Sequence, residues 1–107
     1  MEERRSSVRL AVTLNAKYKP ATGFANKATI VNLSFTGACF LCDRQFEKNS
    51  AIELEIQLDT KDQVNLQGGV LWSVKESNSA LYRHGIKFLD DGRGQKEKLM
   101  RHFNLKK

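Results

Sequence analysis

The chain has 107 residues, 40% of them hydrophobic and 28% charged, with a single Pro. One ordinary globular domain spanning 1–107 fits those numbers, and a disordered tail or proline-rich linker does not. The net charge of +6 is concentrated at the ends, since residues 10–91 carry nine basic and nine acidic side chains while residues 92–107 carry six basic against one acidic; a broad phosphate-tracking groove for DNA or RNA is therefore not expected.

In chain order, "MEERRSSVRL" lacks the apolar core of a secretion signal, and nothing later approaches the roughly 18 uncharged apolar residues of a membrane span. The expected location is cytoplasmic. Leu10, Val12, Leu14, Ala16 and Tyr18 then alternate with other residues, which predicts a half-buried first strand. "KATIVNL" (27–33) and "ACFLC" (38–42) predict the second and third, bounded by "ATG" and "FTG" as turns. Ile52, Leu54, Ile56 and Leu58 alternate in a fourth, and after "DTKD" a fifth follows across "VNLQGGVLWSV" (64–74). Gly68 and Gly69 inside it predict a bulge or sharp bend, as a closing barrel requires. "ESNS" separates it from a sixth strand at "ALYRHGIKFL" (80–89). Connections this short favour antiparallel neighbours. From Gly94 the period changes: Leu99, Met100 and Phe103 share a helical face, and Glu97 precedes Arg101 by four residues. A short C-terminal helix over 94–104 follows, with an apolar stripe that covers a barrel end or docks a partner. Residues 10–91 are thus the expected barrel.

Catalytic chemistry finds little support. Cys39 and Cys42 are three apart, so on a strand their thiols diverge, and no second Cys or His pair completes a tetrahedral metal site. Buried, reduced packing residues are the expectation. The only histidines, His84 and His102, have no sequence neighbours resembling a metal motif or a nucleophile pair. Neither catalytic residues, nor a metal, nor a cofactor is indicated.

Two polar clusters are left. "RRSSVR" sets Arg5 and Arg9 four residues apart, and about two dozen residues later "NLSFTG" carries Asn32, Ser34 and Gly37. As a strand, the latter would present Asn32 and Ser34 on one face, with Gly37 either at positive φ in a turn or admitting a close backbone approach. Taken singly, the first is an ordinary basic arm and the second an ordinary turn.

Together, in order, they resemble the paired RxxxR and [D/N]xSxxG signature of the PilZ-domain family, and "GGVLW" (68–72) and "HGIKF" (84–88) resemble that family's later strands. The resemblance runs from about Arg4 to Phe88. It implies an all-β fold, a six-stranded antiparallel β-barrel with helical decoration, and a non-enzymatic receptor for the bacterial second messenger cyclic di-GMP, acting in motility, biofilm-related export or virulence. It further implies that Arg5 and Arg9 grip the ligand from an N-terminal segment (1–9) that is mobile when empty, with Asn32, Ser34 and Gly37 at the guanine edges. In this family an arginine at the position of Arg4 goes with binding a stacked pair of ligand molecules. Trp72 is placed near the site, where it could stack on a base, although a lone Trp on a strand more often belongs to the core. The chemistry is coherent: a guanidinium pairs bidentately with phosphate or with guanine O6 and N7, and also stacks. Asn32 stands where many members have Asp, giving an uncharged acceptor and a weaker bond. With no output module attached, an unidentified downstream protein is the implied partner. Two other readings stay open: a ligand-independent adaptor that docks a partner through the helix or barrel face, and a small oligonucleotide-binding barrel.

Overall fold

A computed structural model of the chain describes residues 9–89 and 94–105. Of the expected mobile arm (1–9), residues 1–8, Arg4 and Arg5 included, lie outside the described residues, as do residues 90–93 and 106–107.

Six strands form a closed antiparallel barrel: β1 (Leu10–Pro20), β2 (Asn26–Leu33), β3 (Gly37–Cys42), β4 (Ala51–Gln57), β5 (Gln63–Lys75) and β6 (Tyr82–Leu89). Their order around the wall is β1-β2-β3-β6-β5-β4, with β4 returning to β1. The two long strands make the corners. β1 pairs with β2 along most of its length and with β4 from Ala16 to Pro20. β5 pairs with β4 from Gln63 to Gly69 and with β6 from Gln67 to Lys75.

Alternation explains the core. Inward positions of every strand supply it: Tyr18, Ile30, Phe40, Leu54, Ile56, Leu66 and Val70 are each almost completely buried. Burying one such side chain is worth about 1.5–3 kcal/mol, so the period-two pattern stabilises one register and rejects a one-residue slip.

Where the alternation breaks, a bulge is responsible. Register shifts occur between Ala11 and Leu14, between Ile30 and Asn32, and between Val70 and Trp72. Of the bulge or sharp bend expected at Gly68–Gly69, the bulge lies further along β5, at Leu71. Gly68 and Gly69 instead keep regular pairing to both neighbours. The extra residue of a bulge needs no glycine, so composition could not locate it.

The helix α1 (Gln95–His102) is shorter at its C-terminal end than expected, because a capping motif closes it. Asn104 takes φ 54°, its N–H reaches the Arg101 carbonyl at 3.2 Å, and the Leu105 N–H reaches the Met100 carbonyl at 2.8 Å. This 6→1 and 5→2 pairing is the Schellman arrangement, which brings Leu105 against Met100. Leu99 and Met100 are buried, while Gln95 Oε1 accepts from the Asn65 N–H at 3.0 Å and Lys98 Nζ meets Asp62 at 2.5 Å. These contacts fasten α1 to β5 and its entering loop. No helix among the described residues is long and apolar enough to cross a membrane.

His84 is wholly buried, stacked on Phe40 at 4.7 Å and beside Phe46 at 5.2 Å. Burial holds its pKa below the ordinary value of 6.5. Once pH falls below 6.5 the unfolded chain therefore takes up a proton that the folded one refuses, so stability is full above that value and declines as pH falls toward the native pKa. Urea denaturation is expected to show about 1 kcal/mol less stability at pH 5.5 than at pH 7.5, and His84→Gln should flatten that slope. A wild-type slope of zero in this window would contradict the assignment.

Candidate ligand-binding site

The site begins with the register. Across the outer face of the barrel, Ala11 pairs with Asn32, Asn32 with Cys39, Cys39 with Gly85 and Gly85 with Trp72. One transverse row thus crosses five strands. Asn32 and Trp72 stand near its two ends, and the small residues Cys39 and Gly85 lie between them, leaving a shallow dish.

Both walls depend on bulges. Ile30 and Leu33 point inward, so Asn32 can face outward only because the register shifts between Ile30 and Asn32. In β5 the shift lets Leu71 and Trp72 both be exposed although they are consecutive; Trp72 is 41% exposed. Trp72 thus stands near the site, as the resemblance implies, and not in the core where a lone strand tryptophan more often lies. Its indole lies over Gly85, where even a Cβ would overlap the ring atoms Cε2 and Nε1. Gly85 is the seat of the indole.

Arg9 closes the dish from above, its Nη1 donating to Asn32 Oδ1 at 3.3 Å across 23 residues of sequence. With Arg9, Thr36, Cys39, Trp72 and Lys87 as lining side chains, the hollow has a volume of about 260 Å³. Two cations face it, and among the described residues no acidic side chain lines it. Leu71 and Trp72 also border a second, wider hollow that reaches Phe46 and Lys48.

Ser34 and Gly37 are at the hollow, but with tasks other than those expected. β2 ends at Leu33, so Ser34 does not share a strand face with Asn32. It is buried, and its hydroxyl accepts from the N–H groups of Thr36 (3.3 Å) and Gly37 (3.2 Å) while lying 3.3 Å from the Gly37 carbonyl. With the Ser34 N–H to Gly37 carbonyl bond at 2.8 Å, this is a side-chain-locked turn. Gly37 has no positive φ, and the backbone that approaches it is β6: a Cβ there would overlap the Ile86 carbonyl oxygen. Thr36 ties the turn to the barrel through a 2.9 Å bond from the Phe88 N–H to its carbonyl.

Sequence reasoning missed Cys39, Gly85 and Lys87, since only cross-strand register brings them beside Asn32 and Gly37. It also missed a contact inside the barrel. His84 Nε2 lies 3.3 Å from Cys42 Sγ, while Cys39 faces outward, so the thiols diverge as their spacing predicts. Burial pushes the Cys42 thiol up to about 11 and holds the imidazole down, which keeps both neutral. A neutral thiol is a poor nucleophile, so the pair is a core contact. Among the described residues no cluster of three or more His, Cys, Asp or Glu could hold a metal.

Comparison with known proteins agrees with this architecture. Residues 3–105 match the PilZ domain family, to which the chain belongs. In the fold, it superimposes on the Bacillus subtilis inhibitor of motility MotI/DgrA with a TM-score of 0.75 at 16% identity, covering 94% of this chain and 49% of that one. The PilZ domain of Escherichia coli YcgR, solved with c-di-GMP, gives 0.72 at 15% identity, covering 96% and 92%. The Klebsiella MrkH–c-di-GMP complex gives 0.77 at 10% identity, covering 96% and 52%. The chain therefore spans about half the length of MotI and MrkH. No curated protein matches its sequence.

The glycine seat gives a direct test, because Trp72 is the only tryptophan in the chain. Gly85→Ala should displace the indole, shift its emission and cost about 1–3 kcal/mol by overpacking. Gly69→Ala should leave the emission unchanged, because nothing lies within 4 Å of the added methyl. Identical spectra for wild type and Gly85→Ala would disprove the contact.

Proposed function

We propose that this chain is a receptor that binds cyclic di-GMP on the outer face of the barrel and passes the signal to a protein partner without catalysing a reaction. The observation that carries the proposal is the meeting of Arg9 with Asn32 over a dish walled by Trp72. In sequence the two motifs resemble the family signature only when taken together, and the contact of Arg9 from the first with Asn32 from the second, beside one cationic hollow, supports that reading.

The hollow suits the ligand. Two phosphates call for cations, and Arg9 and Lys87 supply them. Guanine offers O6 and N7 to an arginine fork and a flat face to an indole. Asn32 Oδ1 can accept from guanine N–H groups once Arg9 turns to the ligand. Arg5 joins Arg9 in gripping the dinucleotide and Arg4 favours a second, stacked molecule; engagement of this arm against the barrel is the change a partner reads. The c-di-GMP complexes of YcgR and MrkH support the choice of ligand through family and fold.

Titration calorimetry with cyclic di-GMP tests this reading. Saturable heat with two molecules per chain is expected, and Arg5→Ala or Arg9→Ala should each weaken affinity about 5- to 150-fold, the equivalent of about 1–3 kcal/mol. Absence of heat would remove the receptor role in favour of a ligand-independent adaptor.

A further inference from the structure

The turn that borders the ligand hollow has a second side. Ser34, Thr36 and Gly37 face the hollow, whereas Phe35, between them, faces α1 and helps line a groove of about 410 Å³ with Met100 and Leu105. We infer that this groove is the docking surface for an acidic, apolar-anchored segment of a partner protein, and that its shape depends on whether the ligand hollow is filled. The second half of the inference rests on the receptor reading above; the first does not.

Charge and polarity select the occupant. The floor is apolar, made by half-buried Phe35 and Leu105 with Met100 beneath. Lys96 and Arg101 stand at its rim against a single Glu97. A solvated basic helix would need no apolar floor, and a nucleic-acid surface would carry stacking aromatics or cations in series rather than two cations around Met, Leu and one Phe. Leucine-like anchors on a glutamate-rich helix match both features.

The rim also holds a contact that a partner can displace. Lys96 Nζ sits 4.3 Å from the centre of the Phe35 ring, a weak cation–π contact at an exposed site. A partner carboxylate would draw the ammonium away and uncover the aromatic face for an apolar anchor. Meanwhile α1 cannot drift, because Leu99, the Gln95–Asn65 bond and the Lys98–Asp62 pair hold its inner side to the barrel. The movable wall of the groove is therefore Phe35. Its backbone lies within the hydrogen-bonded loop of Ser34, so a ligand that shifts Thr36 or Gly37 shifts Phe35 as well.

The test uses the full chain, isotope-labelled, and an amphipathic peptide about 14 residues long with leucines at helical spacing on a glutamate background. The peptide should perturb the resonances of Phe35, Met100 and Leu105, and its affinity should change about fivefold or more when cyclic di-GMP is added to saturation. A Lys96→Glu/Arg101→Glu variant should lose the peptide and keep its calorimetric affinity for cyclic di-GMP. Several results would overturn the docking surface: no perturbation of those three residues, equal binding of a lysine-background peptide, or the same perturbation by oligouridine RNA. Peptide binding that is indifferent to a cyclic di-GMP seen to bind would overturn the coupling alone. Failure of cyclic di-GMP to bind in calorimetry overturns the receptor reading and leaves the peptide arm to decide the surface.

Discussion

Everything at the outer face depends on two breaks in strict alternation. A strand that seals a core at every second position can only offer the intervening positions to solvent, and the phase is set by the buried residues. Ile30 and Leu33 are both in the core, as are Val70 and Ile86 on the far side of the dish. The one-residue bulges after Ile30 and Val70 let the barrel keep those anchors and still point Asn32 and Trp72 outward. Bulges commonly re-aim side chains beside binding sites, and here one turns Trp72 to the wall of the hollow while the other turns Asn32 to the Arg9 guanidinium that lines it.

This constraint also marks how far the sequence could be read. The six strands and the terminal helix were legible because each carries several apolar residues at its own period, and an error at one position leaves the pattern standing. The outward phase was not. Asn32 and Ser34, two apart, read as partners on one face, yet Ser34 lies beyond the end of β2 and folds its hydroxyl back into the turn. Trp72 read more readily as core because a lone aromatic on a strand carries no mark of the extra residue at Leu71. Gly85 was visible only as part of a resemblance. Its purpose needs the partner strand, since a glycine is informative once something is known to occupy the space where its side chain would be.

The same turn that departs from the strand reading is the most densely hydrogen-bonded part of the site. Ser34 spends its hydrogen-bonding capacity on the loop, Gly37 lets β3 come close to β6, and Thr36 accepts from Phe88. A loop secured in this way moves as a unit. Electrostatics point in the same direction: with the barrel body balanced in charge, Arg9 and Lys87 confer a local preference for anions that distant carboxylates do little to cancel at physiological ionic strength.

Closure of the barrel carries a consequence for how any protein can interact with it. Every strand has hydrogen-bonded neighbours on both sides, since β4 completes the circle with β1. Where the ladders are complete there is no backbone edge for another polypeptide to extend, and strand addition is confined to stretches that pair on one side only, chiefly Leu10–Asn15 of β1 and Leu71–Lys75 of β5. A partner that meets the fully paired part of the wall must do so through side chains, and selectivity there rests on a handful of replaceable residues while the cylinder itself stays the same.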